Sequence, residues 1–252
     1  MISYAQNFED VMLNRAFGSS RSGFYIDVGA WHPVKDSVTK HFYDLGWSGI
    51  NIEPAETYAR LLRKQRPRDI NLACIVSDTP GTTDFWEVPR SGASTTLHSM
   101  WKQVERQGTL ADGTIRRQVE TRTLADVCRE HVKGREIDFL KIDVEGAERS
   151  VILSGDWQTY RPVIVLVEAI APFTRLPNYE AWEKTIVGAG YVFGYFDGLN
   201  RFYVREESKS LLSVFEVPVN VFDGFRHYRW SGLAGHASTA VARLKARLKR
   251  TQ

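Results

Sequence analysis

The sequence Phe24-Tyr25-Ile26-Asp27-Val28-Gly29-Ala30-Trp31-His32-Pro33 predicts a short buried strand that runs into a tight turn. Its first residues are mostly aromatic or β-branched, which favours a strand, and Gly29 supplies the backbone freedom that a turn needs. In an open parallel α/β sheet, ligands bind beyond the carboxyl ends of the strands, where the following helices begin. Asp27 and Gly29 therefore predict a binding corner. The alternative is that Asp27 only caps the next helix.

The glycine content of this corner narrows the class of ligand. Gly29 stands alone where a G-x-G-x-x-G fingerprint has three glycines, so a dinucleotide, whose pyrophosphate needs more bare backbone, is disfavoured. A carboxylate beside a single glycine suits a cationic ligand better. S-adenosylmethionine (SAM) is such a ligand, because it carries an ammonium and a sulfonium group.

The composition is that of an ordinary globular protein. The 252 residues are enough for one sizeable core, and 43% of them are hydrophobic and 25% charged. The formal net charge is +3, and five positive residues stand near the end of the sequence: Arg243, Lys245, Arg247, Lys249 and Arg250. Without these five the remainder carries −2, so no basic surface for nucleic acid is predicted.

Cysteine usage and hydropathy predict the compartment and the domain organisation. Cys74 and Cys128 are too few and too far apart for a disulfide framework or a metal knuckle, which favours a reducing compartment. Without a membrane-spanning run or a leader sequence, a cytoplasmic protein is expected. Residues 1–230 are predicted to form a single domain and residues 231–252 a basic amphipathic tail helix. That helix either contacts an acidic membrane or a partner, or is simply solvated.

A second strand, Gly49-Ile50-Asn51-Ile52-Glu53-Pro54, also ends in an acid. In nucleotide-binding α/β units, an acid about 20 residues after the glycine turn accepts hydrogen bonds from ribose hydroxyls. Glu53 stands at that distance, and its alternative role is to cap the helix predicted over residues 55–64. Between the two strands, Asp36 or Ser37 is predicted to cap another helix.

The flanking segments add a polar cluster and a long loop. Residues 3–17 have a helical pattern that begins near Gln6, in a polar cluster that either reaches the ligand or caps a lid helix. Residues 70–76 predict a third strand, closed by Ser77 and Asp78. Residues 89–118 are polar, contain Gly92, Gly108 and Gly113 and have no apolar stripe, which indicates a lid or substrate loop.

Carboxylates gather at the ends of two later strands. After an apolar run, Asp143, Glu145 and Glu148 fall within six residues, where they repel one another unless a cation, a donor or a ligand is near. Glu168 closes another apolar run, which is typical of a central strand. Residues 191–204 read as a hairpin. Together these patterns predict an α/β fold with a doubly wound, mostly parallel sheet and an antiparallel edge hairpin.

Four motifs in this order resemble those of the FkbM family of SAM-dependent methyltransferases. They are Tyr4-Ala5-Gln6-Asn7-Phe8-Glu9-Asp10, residues 23–33, Gly46-Trp47-Ser48-Gly49-Ile50-Asn51-Ile52-Glu53-Pro54 and Asp138-Phe139-Leu140-Lys141-Ile142-Asp143-Val144-Glu145-Gly146-Ala147-Glu148. The resemblance covers most of residues 3–204 and not the tail. It implies a seven-stranded sheet of the class I, Rossmann-like kind. It also implies methyl transfer from SAM, usually to a hydroxyl oxygen of a sugar or a polyketide-like natural product.

The resemblance further implies a set of cofactor-binding residues. By that resemblance, Asp27, Gly29 and Ala30 line the methionine end of SAM, Glu53 holds the ribose, Ser77 and Asp78 flank the adenine, and Asp143 closes the site. Gln6 joins this set from the N-terminal motif. The family often has a second glycine near Asn7, which this sequence lacks.

The candidate catalytic residues are His32, Asp143, Glu145 and Glu168. Methyl transfer to a hydroxyl needs alignment of the acceptor oxygen and a base for its proton. The ordinary pKa of His32 suits a base, although a lone histidine is also common in structural roles. Asp143 and Glu168 are similar to the strand-end acids that hold Mg²⁺ in catechol-type O-methyltransferases. No third ligand is evident, so Mg²⁺ is a hypothesis and not an expectation.

The sequence thus predicts an O-methyltransferase that acts on a hydroxyl of a sugar, a polysaccharide or a related natural product. An N-methyltransferase or a phenol methyltransferase of small molecules is one alternative. The other is a non-catalytic domain that keeps a SAM pocket and binds a protein or a membrane through its basic tail. The expected partner is a small-molecule or glycan acceptor, and the pattern does not name it.

Overall fold

The computed structural model describes residues 1–18, 22–87, 114–172 and 174–229. The strands are β1 (Ile2–Ser3), β2 (Phe24–Val28), β3 (Ser48–Ile52), β4 (Ile70–Leu72), β5 (Ile75–Val76), β6 (Gly81–Glu87), β7 (Ile115–Arg122), β8 (Phe139–Ile142), β9 (Ile164–Glu168), β10 (Tyr191–Phe196), β11 (Asn200–Arg205) and β12 (Arg226–His227). The α-helices are α1 (Glu9–Phe17), α2 (Lys40–Asp44), α3 (Glu56–Gln65), α4 (Leu124–His131), α5 (Glu148–Leu153) and α6 (Glu183–Gly188). Short 3₁₀ helices cover Tyr179–Ala181, Glu206–Phe215 and Val221–Asp223. Most of the predicted substrate loop, and the whole predicted tail helix, lie outside the described residues.

A mixed seven-stranded sheet forms the centre of the molecule, in the order β10-β11-β9-β8-β2-β3-β4. Strands β9, β8, β2, β3 and β4 are parallel to one another. Strand β11 is antiparallel to both β9 and β10, so β10 runs in the same direction as the parallel strands. The predicted α/β fold with a mixed sheet is confirmed. The hairpin is present, but its inner strand β11 is the one that runs against the rest.

Helices cover both faces of this sheet, because the strands alternate apolar residues between two cores. Ile26 and Val28 of β2 belong to a core that α4, α5 and α6 complete. Tyr25 points the other way, into a core that α1 and α2 complete. Strand β2 is buried along its whole length, as expected for a strand packed on both sides. None of the helices in the described ranges combines the length and the hydropathy that crossing a membrane requires.

The third strand differs from its prediction. The single strand expected over residues 70–76 is two strands, because the chain changes sheets after Leu72. Strand β4 pairs with β3, whereas β5 joins β7 and β6 in a separate three-stranded sheet. Ile75 leaves the main core and packs with Ala55, Tyr58 and Phe85 in a small cluster of its own. Residues 115–118, expected within the loop, form the first half of β7.

The cap of the second helix also differs from its prediction. Helix α2 begins at Lys40 after Thr39, and not after Asp36 or Ser37. The side chains of these two residues have other partners. Asp36 is ion-paired with Arg229, and Ser37 accepts a hydrogen bond from Arg66 at 3.0 Å. Tertiary contacts therefore override the local capping preference.

Candidate active site

A cavity of about 310 Å³ opens beyond the carboxyl ends of β2, β3 and β8. The strand order reverses between β2 and β8, and such a switch point is where ligands bind in open α/β sheets. The volume is at the lower end of the range typical of ligand sites. The described residues that line it are Gln6, Asp27, Val28, Gly29, Ala30, Trp31, Asp36, Ser37, Ile52, Glu53, Pro54, Cys74, Ile75, Val76, Phe85, Lys141, Asp143, Val144, Glu145 and Ala147.

The turn at Gly29 brings the ends of β2 and β8 into close approach. Gly29 has a φ of +83°, and a Cβ atom there would lie 1.8 Å from the carbonyl oxygen of Asp143. Its N–H and that of Ala30 both donate to the carbonyl of Ile52, at 3.0 and 3.1 Å. These two donors are therefore engaged within the protein, which agrees with a corner that does not cradle a pyrophosphate.

Lys141 is the residue of this site that the sequence pattern does not single out. Its Nζ donates to the carbonyl oxygen of Gly29 at 3.0 Å and lies 3.3 Å from Asp27 and 3.2 Å from Asp143. Burial alone would lower the pKa of Lys141, and the two carboxylates together raise it above its ordinary value. A signal was present in the sequence, because a lysine within the apolar strand β8 has to be paired when buried.

Asp27 is an internal partner of this lysine. It lines the cavity but is only 1% exposed. Burial raises the pKa of Asp27, and the charge of Lys141 opposes that rise. Its second carboxylate oxygen accepts a hydrogen bond from Thr39 at 3.2 Å. The negative charge of Asp27 is thus largely balanced within the protein.

Glu53 accepts two backbone hydrogen bonds beside the cavity. One carboxylate oxygen accepts from the N–H of Ala55 and the other from the N–H of Trp31, each at 2.8 Å. Burial raises the pKa of Glu53 to about 7. Because each carboxylate oxygen has two lone pairs, Glu53 can hold the chain just before α3 and still accept from a ligand in the cavity.

The turn after β8 collects further carboxylates. Glu148 accepts hydrogen bonds from the N–H groups of Gly146 and Val144, at 2.9 and 3.3 Å, and so fixes the turn. Glu145 has a φ of +54°, an uncommon conformation for a residue with a side chain, and it lines the cavity. Burial, followed by the charges of Asp143 and Glu148, raises the pKa of Glu145 to about 8.

Glu168 lies behind Asp143. Burial, followed by the charges of Asp143, Glu145 and Glu148, raises the pKa of Glu168 to about 10. An interaction with the carboxylate of Asp143 also raises this pKa, so Glu168 holds its proton more tightly than an ordinary glutamate does. Glu168 supports the cavity wall rather than lining it.

Of the residues predicted for the site, the cavity brings together Gln6, Asp27, Gly29, Ala30, Glu53, Asp143 and Glu145. His32, Ser77, Asp78 and Glu168 are not among the described residues that line it. Nδ1 of His32 accepts from the N–H groups of Val34 and Lys35, at 3.0 and 2.9 Å, and its ring packs against Tyr58. Burial lowers the pKa of His32. Its surroundings are those of a structural histidine.

The predicted adenine contacts lie elsewhere. The hydroxyl group of Ser150, at the start of α5, donates to Asp78 at 2.6 Å and lies 3.2 Å from that of Ser77. Ile75 and Val76 of β5 line the cavity in their place, because the chain has already left the main sheet.

The residues present do not fit a Mg²⁺ site. Within the described ranges, no three or more His, Cys, Asp or Glu side chains are grouped so as to hold a metal ion. The ammonium group of Lys141 lies 3.2 Å from Asp143, where it already balances part of the charge of that carboxylate. Glu168, the other proposed ligand, is not among the described residues that line the cavity.

The match to a family model agrees with the resemblance of the motifs. The family model of the methyltransferase FkbM domain matches residues 27–193, which is more than half of the chain. A crystal structure of methyltransferase FkbM from Methylobacillus flagellatus KT aligns with a TM-score of 0.44 and 12% identity. The alignment covers 78% of this chain and 47% of that one, so the chain spans about half the length of that protein. No curated protein matches the chain. From the extent of the family match, the chain belongs to the FkbM family of methyltransferases.

Proposed function

We propose that the protein is a SAM-dependent O-methyltransferase that acts on a hydroxyl group of a sugar, a polysaccharide or a related natural product. The main support is that the ends of three neighbouring parallel strands deliver Gly29, Glu53 and Asp143 to one cavity at the switch point of the sheet. Membership of the FkbM family supports methyl transfer as the reaction.

The chemistry of the cavity fits SAM. Ile52, Ile75, Val76 and Phe85 supply apolar surface for an adenine ring. Glu53 has acceptor capacity for ribose hydroxyls. The side chain of Asp143 is 34% exposed, which makes it an accessible carboxylate for the ammonium group. Nε1 of Trp31 is buried without a hydrogen-bond partner among the described residues, so it is a donor for a ligand oxygen.

When bound, SAM would supply an activated methyl group, which leaves the protein to orient the acceptor and to take up its proton. We assign the role of the base that takes up this proton to Glu145. This residue lines the cavity, and its raised pKa of about 8 makes it a stronger base than an ordinary carboxylate. Its strained backbone is of the kind that clusters at functional sites. Glu168 and Lys141 act as positioning residues on either side of Asp143.

Cofactor binding is tested by calorimetry with S-adenosylhomocysteine. We expect the folded protein to bind it and Glu53→Gln to weaken binding about tenfold or more, because a charged acceptor for the ribose is lost. The control is Glu56→Gln, a surface residue of α3 outside the cavity. Absence of binding by the wild type, or equal affinity of Glu53→Gln, would contradict the proposed cofactor site.

Catalysis is tested by mass spectrometry of products formed from panels of sugars, amines and phenols. We expect methylated sugar, and a kcat that rises with pH through about 8, because Glu145 must be deprotonated to act as a base. Glu145→Gln should lose this limb of the pH profile and retain cofactor affinity. Methylated amines or phenols in place of methylated sugar would show that the acceptor is not a sugar hydroxyl. Cofactor binding without any turnover would point to a non-catalytic domain.

The expected compartment remains a prediction. Cys74 and Cys128 are both buried free thiols, which supports a reducing environment such as the cytoplasm. The division into a domain of residues 1–230 and a tail helix of residues 231–252 also remains a prediction.

A further inference from the structure

The segment from Trp31 to Ser37, which lies between β2 and α2, forms one wall of the cavity. We call residues 31–37 the cavity loop. Trp31, Asp36 and Ser37 line the cavity, and φ is +44° at Trp31 and +52° at Asp36. Residues with side chains rarely adopt a positive φ, and they keep it only where surrounding contacts enforce it. The shape of the cavity loop therefore depends on groups that hold it from outside.

Arg66, the residue that follows α3, holds the cavity loop from beneath. Its Nε donates to the carbonyl oxygen of Pro33 at 3.0 Å, and its Nη2 donates to the hydroxyl group of Ser37 at 3.0 Å. Its Nη1 donates at 3.3 Å to the hydroxyl group of Thr39, which itself donates to Asp27. The planar guanidinium group has several donors in a fixed arrangement, so one side chain fixes the loop at both Pro33 and Ser37.

Arg66 is in turn held by the central sheet. It is 1% exposed, and its Nη1 lies 3.7 Å from the buried carboxylate of Asp69. Asp69 accepts hydrogen bonds from the hydroxyl group of Tyr25 on β2, at 2.7 Å, and from the N–H of Gly49 on β3, at 2.9 Å. The guanidinium group therefore has a fixed position relative to β2 and β3, and its contacts transfer that position to the cavity loop.

Stability alone does not account for this buried arginine. Moving the charges of Arg66 and Asp69 out of water costs free energy that their attraction often fails to recover, and apolar residues of similar size often stabilise an interior as well or better. Apolar residues cannot donate to the carbonyl group of Pro33 or to the hydroxyl group of Ser37. The contacts with the cavity loop are therefore what the arginine specifically provides.

We propose that Arg66 is a positioning residue that keeps the cavity loop in the shape that receives the cofactor. Arg66 is not among the described residues that line the cavity, so it acts through the loop and not on the ligand. A loop that is ordered before binding loses less conformational entropy when the ligand arrives, which increases affinity. The proposal rests on the proposed function, because it takes SAM as the ligand of this cavity.

The main variant is Arg66→Lys, which keeps the positive charge beside Asp69 but replaces the fork of donors by a single ammonium group. The matched control is Arg15→Lys. Arg15 also donates to two loop carbonyl groups, those of Val217 and Pro218, at 2.7 and 2.9 Å, but it is not among the described residues that line the cavity. A second variant, Arg66→Met with Asp69→Asn, removes the loop contacts without leaving a buried charge unpaired. Thermal melts check that each variant is folded.

The order of the cavity loop is measured without cofactor by hydrogen–deuterium exchange of the peptide that contains residues 31–37. We expect exchange to be about tenfold faster or more in both Arg66 variants, because the loop opens more often. Exchange of this peptide in Arg15→Lys should equal that of the wild type. Saturating S-adenosylhomocysteine should slow the exchange again in the Arg66 variants, since binding reorders the loop.

Cofactor affinity is measured by calorimetry with S-adenosylhomocysteine. We expect Kd to rise about tenfold in both Arg66 variants and to stay at the wild-type value in Arg15→Lys. With the acceptor that the product panels identify, the KM for SAM should rise while kcat at saturating SAM stays within about twofold of the wild type. The reason is that Glu145, the assigned base, lies on a different turn, the one after β8.

Three outcomes would overturn the proposal while leaving the proposed function intact. They are wild-type exchange of the cavity loop in both Arg66 variants, faster exchange without any loss of affinity, and an equal loss of affinity in Arg15→Lys, which would show a general effect of lower stability. Absence of S-adenosylhomocysteine binding by the wild type would instead contradict the proposed function, and the proposed role of Arg66 with it.

Discussion

At the level of single residues, Lys141 makes the cavity less negative than its acidic residues alone would suggest. The acids at the strand ends were expected to attract a cationic ligand together. Lys141 lies between Asp27 and Asp143 and balances part of their charge. Under the proposed function, the carboxylate open to a sulfonium compound is that of Asp143, whose side chain is 34% exposed. Asp27 is better described as the group that holds the lysine in place.

A double-mutant cycle tests this assignment. Lys141→Met should destabilise the protein by about 3–5 kcal/mol, because it leaves the buried carboxylate of Asp27 without its partner. The double variant with Asp27→Asn should recover a large part of that loss, since both charged partners are then replaced. The measurement is the free energy of unfolding in urea.

The control for this cycle is Lys64→Met, a change at an exposed position of α3 that should leave stability nearly unchanged. If the double variant lost as much stability as the sum of the two single variants, Lys141 and Asp27 would not be coupled, and the assignment would be wrong.

Whether a predicted site residue lies in the cavity depends on whether neighbouring residues in the sequence determine its position. Gly29 and Glu53 stand at strand ends that the apolar pattern marks, and the cavity contains both. His32 and Asp78 follow similar patterns but bind to groups that the pattern does not specify, the N–H of Lys35 and the hydroxyl of Ser150. Lys141 pairs with a residue 114 positions earlier in the chain, a relation that only the folded sheet creates.

At the level of elements, the turn after β2 determines how closely β2 and β8 approach. Gly29→Ala should prevent this approach, because the new Cβ would overlap the carbonyl oxygen of Asp143. The control is Gly46→Ala, at the end of α2, where φ is also positive at +95° and no atom lies within 4 Å of the added Cβ. The control isolates the cost of the backbone conformation from the cost of the overlap.

We expect Gly46→Ala to lose about 1–2 kcal/mol from the left-handed conformation alone. Gly29→Ala should lose a further ~2 kcal/mol or more, since backbone atoms have to move. Urea unfolding of the two variants side by side measures this difference. Equal losses would mean that the ends of β2 and β8 are free to separate.

The elements predicted best are those whose patterns are strong and local. The apolar run before Glu168 is the central strand β9, and the hairpin is β10 and β11. The division of residues 70–76 into β4 and β5 was not predicted, because an apolar run shows that a strand is buried and not which sheet it joins. Packing of Ile75 against Phe85 decides that question in the folded protein.

At the level of the whole molecule, several glutamates are buried with a raised pKa. The pKa is about 8 for Glu9 and Glu145, about 7 for Glu53 and about 10 for Glu168, and burial is the largest cause in each case. Three of these glutamates line the cavity or lie directly behind it. Glu9 belongs to a separate network with Asn200, at 2.9 Å. Most of the glutamates with a strongly raised pKa therefore belong to the candidate site.

These raised pKa values predict that the free energy of unfolding falls as pH rises. Each glutamate binds its proton more tightly in the folded protein than at its ordinary pKa of 4.5, so its contribution is fully present below that pH. The contribution is lost as pH rises towards the folded pKa. The pKa of His41, lowered to about 4 by burial, has the opposite effect below its ordinary value of 6.5. The window from about pH 6.5 to 8 therefore leaves out the range in which His41 opposes the glutamates.

Within this window, the free energy of unfolding should fall by up to about 1.4 kcal/mol per pH unit for each glutamate that stays protonated in the fold. Glu9→Gln should reduce the slope by about one such increment without touching the cavity, whereas Glu56→Gln on the surface should leave it unchanged. Urea unfolding without ligand, at constant ionic strength, measures the slopes. If the free energy of unfolding of the wild type were constant or rose between about pH 6.5 and 8, the buried glutamates would be ionised in the folded protein. The raised pKa assigned to the proposed base Glu145 would then be wrong.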